Sequence, residues 1–272
     1  MPATDGSSDH AHRAILQDGD CAPFEIVNAN GSSRVFLLCE HAGQAIPRFL
    51  GDMGLPASAL ARHIAFDIGA EALARRLSTL LDAPLVLQPY SRLVIDCNRP
   101  ITAEDSIPAV SDTTLIPANS NVPEWQRQAR QEQIHSAFHA AVNDLLDAHG
   151  KAHHTILVTI HSFTRRLMSD GVERLWELGL LFHRDHRFAQ DLMASIRALH
   201  PQVAAAFNEP YVADDETDYA IPIHGEQRGI RHVLLEVRND LIADEPGQEA
   251  WAAMLADAIA DAAEKEEIED VA

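Results

Sequence analysis

The feature that most constrains this chain is a series of short apolar runs that are continuous rather than alternating: Val35–Cys39, Leu85–Leu87, Leu93–Ile95, Thr155–Ile160, Gly179–Phe182 and His232–Val237. A strand with one face in water alternates apolar and polar residues, so unbroken runs read as strands covered on both faces. Amphipathic stretches separate them. Ile68, Ala72, Leu73, Leu77, Leu80 and Leu81 share one helical face, with Asp67 placed to cap its start. A longer helix is expected from Glu124 to His149, where Ile134, Phe138, Val142, Leu145 and Ala148 form a stripe. Pro123 stands at its first turn and Gly150 just past its end. Two more are expected over Phe188–Leu199, stopped by Pro201, and Glu249–Ala263, with Trp251, Leu255 and Ile259 inward. Strands alternating with helices predict an α/β protein with three α/β/α layers around a central, mostly parallel, mixed sheet.

The chain, at 272 residues, fits one domain of this kind. We expect a polar, aperiodic and loose arm over 1–20, a single catalytic body over 21–265, and a fraying acidic tail over 266–272. Thr102–Pro123 and Asn208–Gly229, rich in polar residues and proline, read as long surface loops of the sort that wall a site. A balance of 21 basic against 41 acidic side chains gives a net charge of −20, a field that repels phosphate backbones and anionic lipid. Nucleic acid and membrane surfaces are therefore excluded as expected partners. No apolar stretch approaches the ~20 residues of a membrane span, and no apolar segment follows a basic start, so a cytoplasmic protein is expected. Cys21, Cys39 and Cys97 lack paired spacing and read as free thiols.

In open α/β sheets ligands bind beyond the carboxyl ends of the strands. Polar groups gather at that position here: Glu40-His41-Ala42-Gly43 after one run, His161-Ser162-Phe163-Thr164 after another, and Glu236 inside the last, followed by Arg238, Asn239 and Asp240. Two strand-end histidines suit one zinc ion. A carboxylate among Leu234, Leu235 and Val237 is costly to bury without a partner, whether a cation such as Arg238 or a chemical task. Arg92 and Arg99 flank Asp96 and offer forks for an anionic substrate, unless one pairs with Asp96. His135, His139 and His149, in the long amphipathic stretch, are expected at the surface. His183 and His186 are expected in a solvated loop, and Arg165 and Arg166 either tune substrate choice or meet solvent.

These segments, in this order, resemble the N-formylglutamate amidohydrolase family, itself similar in fold to zinc carboxypeptidases and acylamino-acid deacylases. The resemblance runs from about Phe36 to Leu241 and includes His63–Ala70, Ser91–Pro100 and Asn208-Glu209-Pro210-Tyr211. It implies a zinc-exopeptidase-like fold and hydrolysis of a small anionic N-formyl or N-acyl amino acid, with one zinc ion. His41 and His161 are the implied zinc histidines and Glu236 the general base. The peptidases carry a metal glutamate where this chain has Gln44, a poor ligand, which leaves Asp67 and then Glu40 as the third ligand. Arg92 is expected to stabilise the oxyanion and Asn98 with Arg99 to anchor the substrate carboxylate. Asn208, Tyr211, His224 and Arg238 complete the expected substrate contacts. A deacylase or peptidase of larger substrates and a non-catalytic binding protein on the same scaffold remain the alternatives.

Overall fold

The continuous runs do pack on both faces. The computed structural model describes residues 14–150 and 153–270, the last five as backbone alone. In chain order it contains β1 (Glu25–Val27), β2 (Val35–Cys39), α1 (Ala57–Leu60), α2 (Ala70–Leu81), β3 (Leu85–Leu87), β4 (Val110–Ser111), β5 (Thr114–Leu115), α3 (Glu124–Arg130), α4 (Ala137–Gly150), β6 (Ile156–Phe163), β7 (Leu178–Leu181), α5 (Arg187–Leu199), β8 (Ala205–Phe207), β9 (Arg231–Arg238) and α6 (Glu245–Asp270). Seven strands form one sheet in the order β1-β3-β2-β6-β9-β7-β8. β3, β2, β6 and β9 run parallel, while β1 and the β7–β8 pair enter antiparallel to their neighbours.

Alternate side chains of the central strands feed two cores. Leu37, Val158 and Leu235 pack with α2, α5 and α6 on one face, while Phe36, Leu38 and Leu157 pack with α3, α4 and their loops on the other. This is the expected three-layer α/β/α arrangement. No helix among the described residues is long and apolar enough to cross a membrane.

Several local expectations are corrected. Leu93–Ile95 is fully buried but forms turns, not a strand. The carbonyls of Leu93 and Val94 are met by Asn119 Nδ2 and Arg130 Nη1 at 2.8 and 2.9 Å, so side-chain donors replace a strand ladder. A two-stranded hairpin, β4–β5, lies within the Thr102–Pro123 loop. The long helix is continued between α3 and α4 by a π-helical stretch, Gln131–Ser136, and its inward stripe passes through Leu146 and His149 rather than Leu145 and Ala148. His135, His139 and His149 are buried, not at the surface. Their Nε2–H groups donate to the carbonyls of Arg99, Cys97 and Ser33, which supplies the polar partners burial requires.

In α2, Leu80 faces solvent and Ala70, Leu73, Ala74 and Leu77 are the inward residues. The helix is entered through Gly69 at φ 82°, where a Cβ would lie 2.2 Å from the Ile242 carbonyl oxygen; the Asp67 side chain makes no capping bond. Within the expected arm, Ile15 is buried and the Ile15 and Leu16 N–H groups donate to Gln133 Oε1, while Gln17, Asp18 and Gly19 are exposed. Residues 1–13 lie outside the described residues. α6 carries the backbone of the acidic tail to Asp270, and residues 271–272 again lie outside.

Candidate active site

β2 ends at Cys39, and the chain turns at once through Glu40 and His41. Gly43 permits the turn, since a Cβ there would come within 1.9 Å of the Pro89 carbonyl oxygen. The Asp67 N–H donates to the His41 carbonyl at 3.0 Å, which ties the entry of α2 to the end of β2. The Ser91 hydroxyl and the Arg92 N–H both donate to the Ala65 carbonyl, bringing the Ser91–Pro100 segment alongside. β6 and β9 are paired in register with His161 opposite Glu236, so both side chains leave the same face of the sheet.

Three buried groups converge. His41 Nδ1 lies 3.1 Å from His161 Nδ1 and 3.4 Å from Asp67 Oδ2, and His161 Nδ1 lies 2.9 Å from the same oxygen. Each imidazole turns its other nitrogen to a carboxylate: His41 Nε2 to Asp96 Oδ1 at 2.7 Å, and His161 Nε2 to Glu40 Oε2 at 3.0 Å. A carboxylate accepts, so Nε2 carries the proton in both rings and Nδ1 faces inward. Metal-binding histidines are oriented in this way. Two nitrogen lone pairs 3.1 Å apart repel unless a proton lies between them, and the acids around His161 favour a charged imidazole there. Burial opposes that charge, but Glu40 and Asp67 outweigh it and raise the imidazole well above its usual range. Burial likewise works against the Asp67 carboxylate, and His41 and Arg92 overcome it, holding Asp67 far below the usual range.

His41, Asp67 and His161 are therefore a set of donors that could hold one metal ion. A divalent cation would stand in place of proton charge between these donors, in a site whose outer hydrogen bonds already suit it. Glu40, the second choice for the third ligand, stands behind His161 instead, and Gln44 is exposed.

Glu236 is 7% exposed, and its Oε2 is buried with no hydrogen-bond partner among the described residues. Burial, against the pull of His161, pushes its carboxyl up to about 8. In the metal-free site burial thus favours the protonated acid. Arg238 is not its partner, since it pairs with Asp240 at 2.7 Å. Gly179 lies opposite Glu236 on β7, and a Cβ there would sit 1.9 Å from the Glu209 carbonyl oxygen. That bare position lets the Glu209–Tyr211 segment pass over the sheet beside Glu236.

A cavity of about 680 Å³ opens over these groups, with His41, Asp67, His161, Glu236 and Arg92 in its wall. Arg92 is fixed by Nε and Nη2 on Asp96 Oδ2 and by Nη1 on Asp67 Oδ1. Asn98, Arg99 and Tyr211 also line the cavity. The Asn98 amide is fully used, however: Nδ2 donates to Asp218, and Oδ1 accepts from the Tyr219 and Ala220 N–H groups. Arg99 donates through Nε to Asp105 and through Nη1 to the carbonyls of Asn98 and Thr217.

Asn208, His224 and Arg238 do not line this cavity. Asn208, at φ 50°, accepts the Phe182 N–H beyond the end of β7. His224 is buried against His139, with Nε2 2.9 Å from His139 Nδ1. Sequence reasoning missed the tasks of Asp96 and Glu40 behind the imidazoles. The signal was available for Asp96, an acid placed directly after an apolar run, as it was for Glu236.

Set beside known proteins, the chain falls in a class of hydrolases that act on amide bonds. Residues 33–243 match the sequence profile of the N-formylglutamate amidohydrolase family, and the chain belongs to that family. It is 35% identical to a gene product of Agrobacterium tumefaciens of known structure, over 93% of this chain and 99% of that one, with a TM-score of 0.88. The fold of N-formylglutamate amidohydrolase from Ralstonia eutropha is similar at a TM-score of 0.64, with 18% identity, 91% of this chain and 98% of that one covered. No curated protein matches the chain. The family and fold class expected from the motifs are thus both found.

Proposed function

We propose that this protein hydrolyses the amide bond of a small N-formyl amino acid of the N-formylglutamate type, using a zinc ion held by His41, His161 and Asp67. The observation that carries the reading is the convergence of two Nδ1 atoms and one carboxylate oxygen within 3.4 Å, each ring backed by its own acid. Two imidazoles and a carboxylate suit zinc, which when bound would acidify a water and polarise the formyl carbonyl.

The chain's own groups supply the rest. A cation's field opposes the effect of burial on Glu236 and favours its carboxylate, which then takes the proton of the attacking water. As the carbon–nitrogen bond breaks, Glu236 returns that proton to the leaving nitrogen, giving formate and the free amine. Arg92, immobilised by Asp96 and Asp67, faces the carbonyl oxygen as negative charge develops there. Arg99 keeps Nη2 for the substrate's α-carboxylate. Asn98 serves as a brace for the wall at Asp218–Ala220 rather than as an anchor.

The test is metal analysis of the purified protein together with an N-formylglutamate hydrolysis assay before and after chelation. We expect about one zinc per chain, activity lost with the metal and restored by zinc. Full activity in metal-free protein would overturn the scheme.

A further inference from the structure

Asp218 is an acid in the cavity wall that the scheme above leaves without a task. It is 7% exposed. The cations whose fields reach it, Arg99 and His161, form their own ion pairs with Asp105 and with Glu40 and Asp67. Its carboxylate is nevertheless fixed. Oδ1 accepts from Asn98 Nδ2 at 3.0 Å and Oδ2 from the Asp214 N–H at 3.2 Å, while the Asp218 N–H donates to the Asp214 carbonyl at 3.2 Å. Burial pushes the carboxyl above its usual range against the pull of Arg99 and His161, and its charge in turn raises Glu236. A buried acid facing a cavity that receives an anion costs twice, by desolvation and by like charge. A cationic group on the bound molecule would offset both.

The surroundings of Asp218 select that group. Two consecutive residues meet two consecutive residues here: Asn98 donates to the Asp218 carboxylate and Arg99 Nη1 to the Thr217 carbonyl. Arg99 and Asp218 thus stand side by side in the cavity wall, which Glu236 also lines. An α-amino acid carries its nitrogen and its carboxylate on one carbon. A molecule whose carboxylate meets Arg99 therefore brings its nitrogen towards Asp218.

We propose that Asp218 accepts the N–H of the scissile amide and then pairs with the ammonium group of the released amino acid, which makes it a catalytic residue at the leaving nitrogen. This rests on the hydrolytic reading above, in which Arg99 meets the α-carboxylate. A buried amide N–H needs an acceptor, and a carboxylate oxygen that takes one hydrogen bond can take another. As the carbon–nitrogen bond breaks, carbon keeps the oxygen of the attacking water and leaves as formate. Both hydrogens of that water end on nitrogen, one carried by Glu236 and one released as the new acid ionises. The nitrogen passes from neutral to cationic beside Asp218, so the attraction grows along the reaction and favours the transition state over the bound substrate.

The experiment compares L-glutamate with glutarate, which share both carboxylates and differ in the amine. Their binding to the zinc-loaded protein is read by calorimetry and by inhibition of N-formyl-L-glutamate turnover. We expect the wild type to prefer L-glutamate, and Asp218→Asn to cut that preference roughly 10- to 100-fold while glutarate binds as well or better. On N-formyl-L-glutamate the variant should lose kcat roughly 10- to 100-fold with KM little changed. Asp218→Ser supplies a second reading should the asparagine disturb Asn98 and lower the melting temperature. An unchanged ratio, or equal losses on both ligands, would overturn the role while leaving the hydrolase standing. A wild type that binds glutarate as tightly as L-glutamate would overturn it whatever the variants do. If the wild type does not turn over N-formyl-L-glutamate, the hydrolytic reading fails and the calorimetric ratio alone decides the role of Asp218.

Discussion

Asp96→Asn changes one atom type and almost no volume at a carboxylate that is 5% exposed and carries four bonds. Oδ1 accepts from His41 Nε2 at 2.7 Å and from the Asn98 N–H at 2.8 Å; Oδ2 accepts from Arg92 Nε and Nη2 at 3.1 and 3.0 Å. An asparagine oxygen can serve only one of these sides, and its NH2 then confronts donors on the other. Removing one partner of a buried pair costs about 3–5 kcal/mol. Arg92 is 24% exposed and keeps Asp67, which reduces the cost to about 2–4 kcal/mol. Against a usual total of about 5–15 kcal/mol this is a large fraction, and it lowers the melting temperature by roughly 5–15 °C.

Loss of the acid behind His41 should also weaken zinc binding about 10- to 100-fold. Thermal unfolding of metal-free protein and competition with a chelator read the two effects separately. Adding Arg92→Met should recover part of the lost stability, because no lone guanidinium then remains beside the amide. A melting temperature and zinc affinity indistinguishable from wild type would refute the account of Asp96 as the joint support of ligand and arginine.

Glu236→Gln should cut turnover about 10²- to 10⁴-fold while zinc content holds. Because burial moves this carboxyl from 4.5 to about 8, the folded metal-free protein keeps a proton that the unfolded chain releases, and wild-type stability falls as pH rises across that window. The variant escapes the fall, so its advantage in melting temperature should be absent at pH 4 and grow towards pH 8; a gap independent of pH would exclude the mechanism. Gly179→Ala should displace the Glu209–Tyr211 segment, costing about 1–3 kcal/mol and raising KM, as unfolding and steady-state rates would show. Unaltered kinetics would mean that the segment does not shape the cavity.

Much of the scaffold is legible in the chain because burial on both faces leaves a plain mark: five of the continuous runs coincide with β2, β3, β6, β7 and β9. Leu93–Ile95 misleads because the mark reports burial and not backbone pairing, and its carbonyls are met by Asn119 and Arg130 from distant segments. β1 and β8, of three residues each, are too short and too exposed to stand out. At the site, His41, His161 and Glu236 are legible because polar residues interrupt or end apolar runs. Asp67 reads equally well as a helix cap, and only its approach to both imidazoles separates the two roles. The buried His135, His139 and His149 escape a helical-stripe argument because their partners are carbonyls from segments remote in sequence.

The pairing of His161 with Glu236 means that the distance between ligand and base is set by a ladder of eight rungs rather than by a loop. Lengthening a surface connection would leave that spacing alone. Inserting a single residue into either β6 or β9 ahead of the pair would rotate one of the two groups to the opposite side of the sheet, among the apolar side chains beneath. The spacing of His161 and Glu236 is thus a property of strand registration, whereas that of His41, Asp67 and Arg92 rests on the connections that carry them.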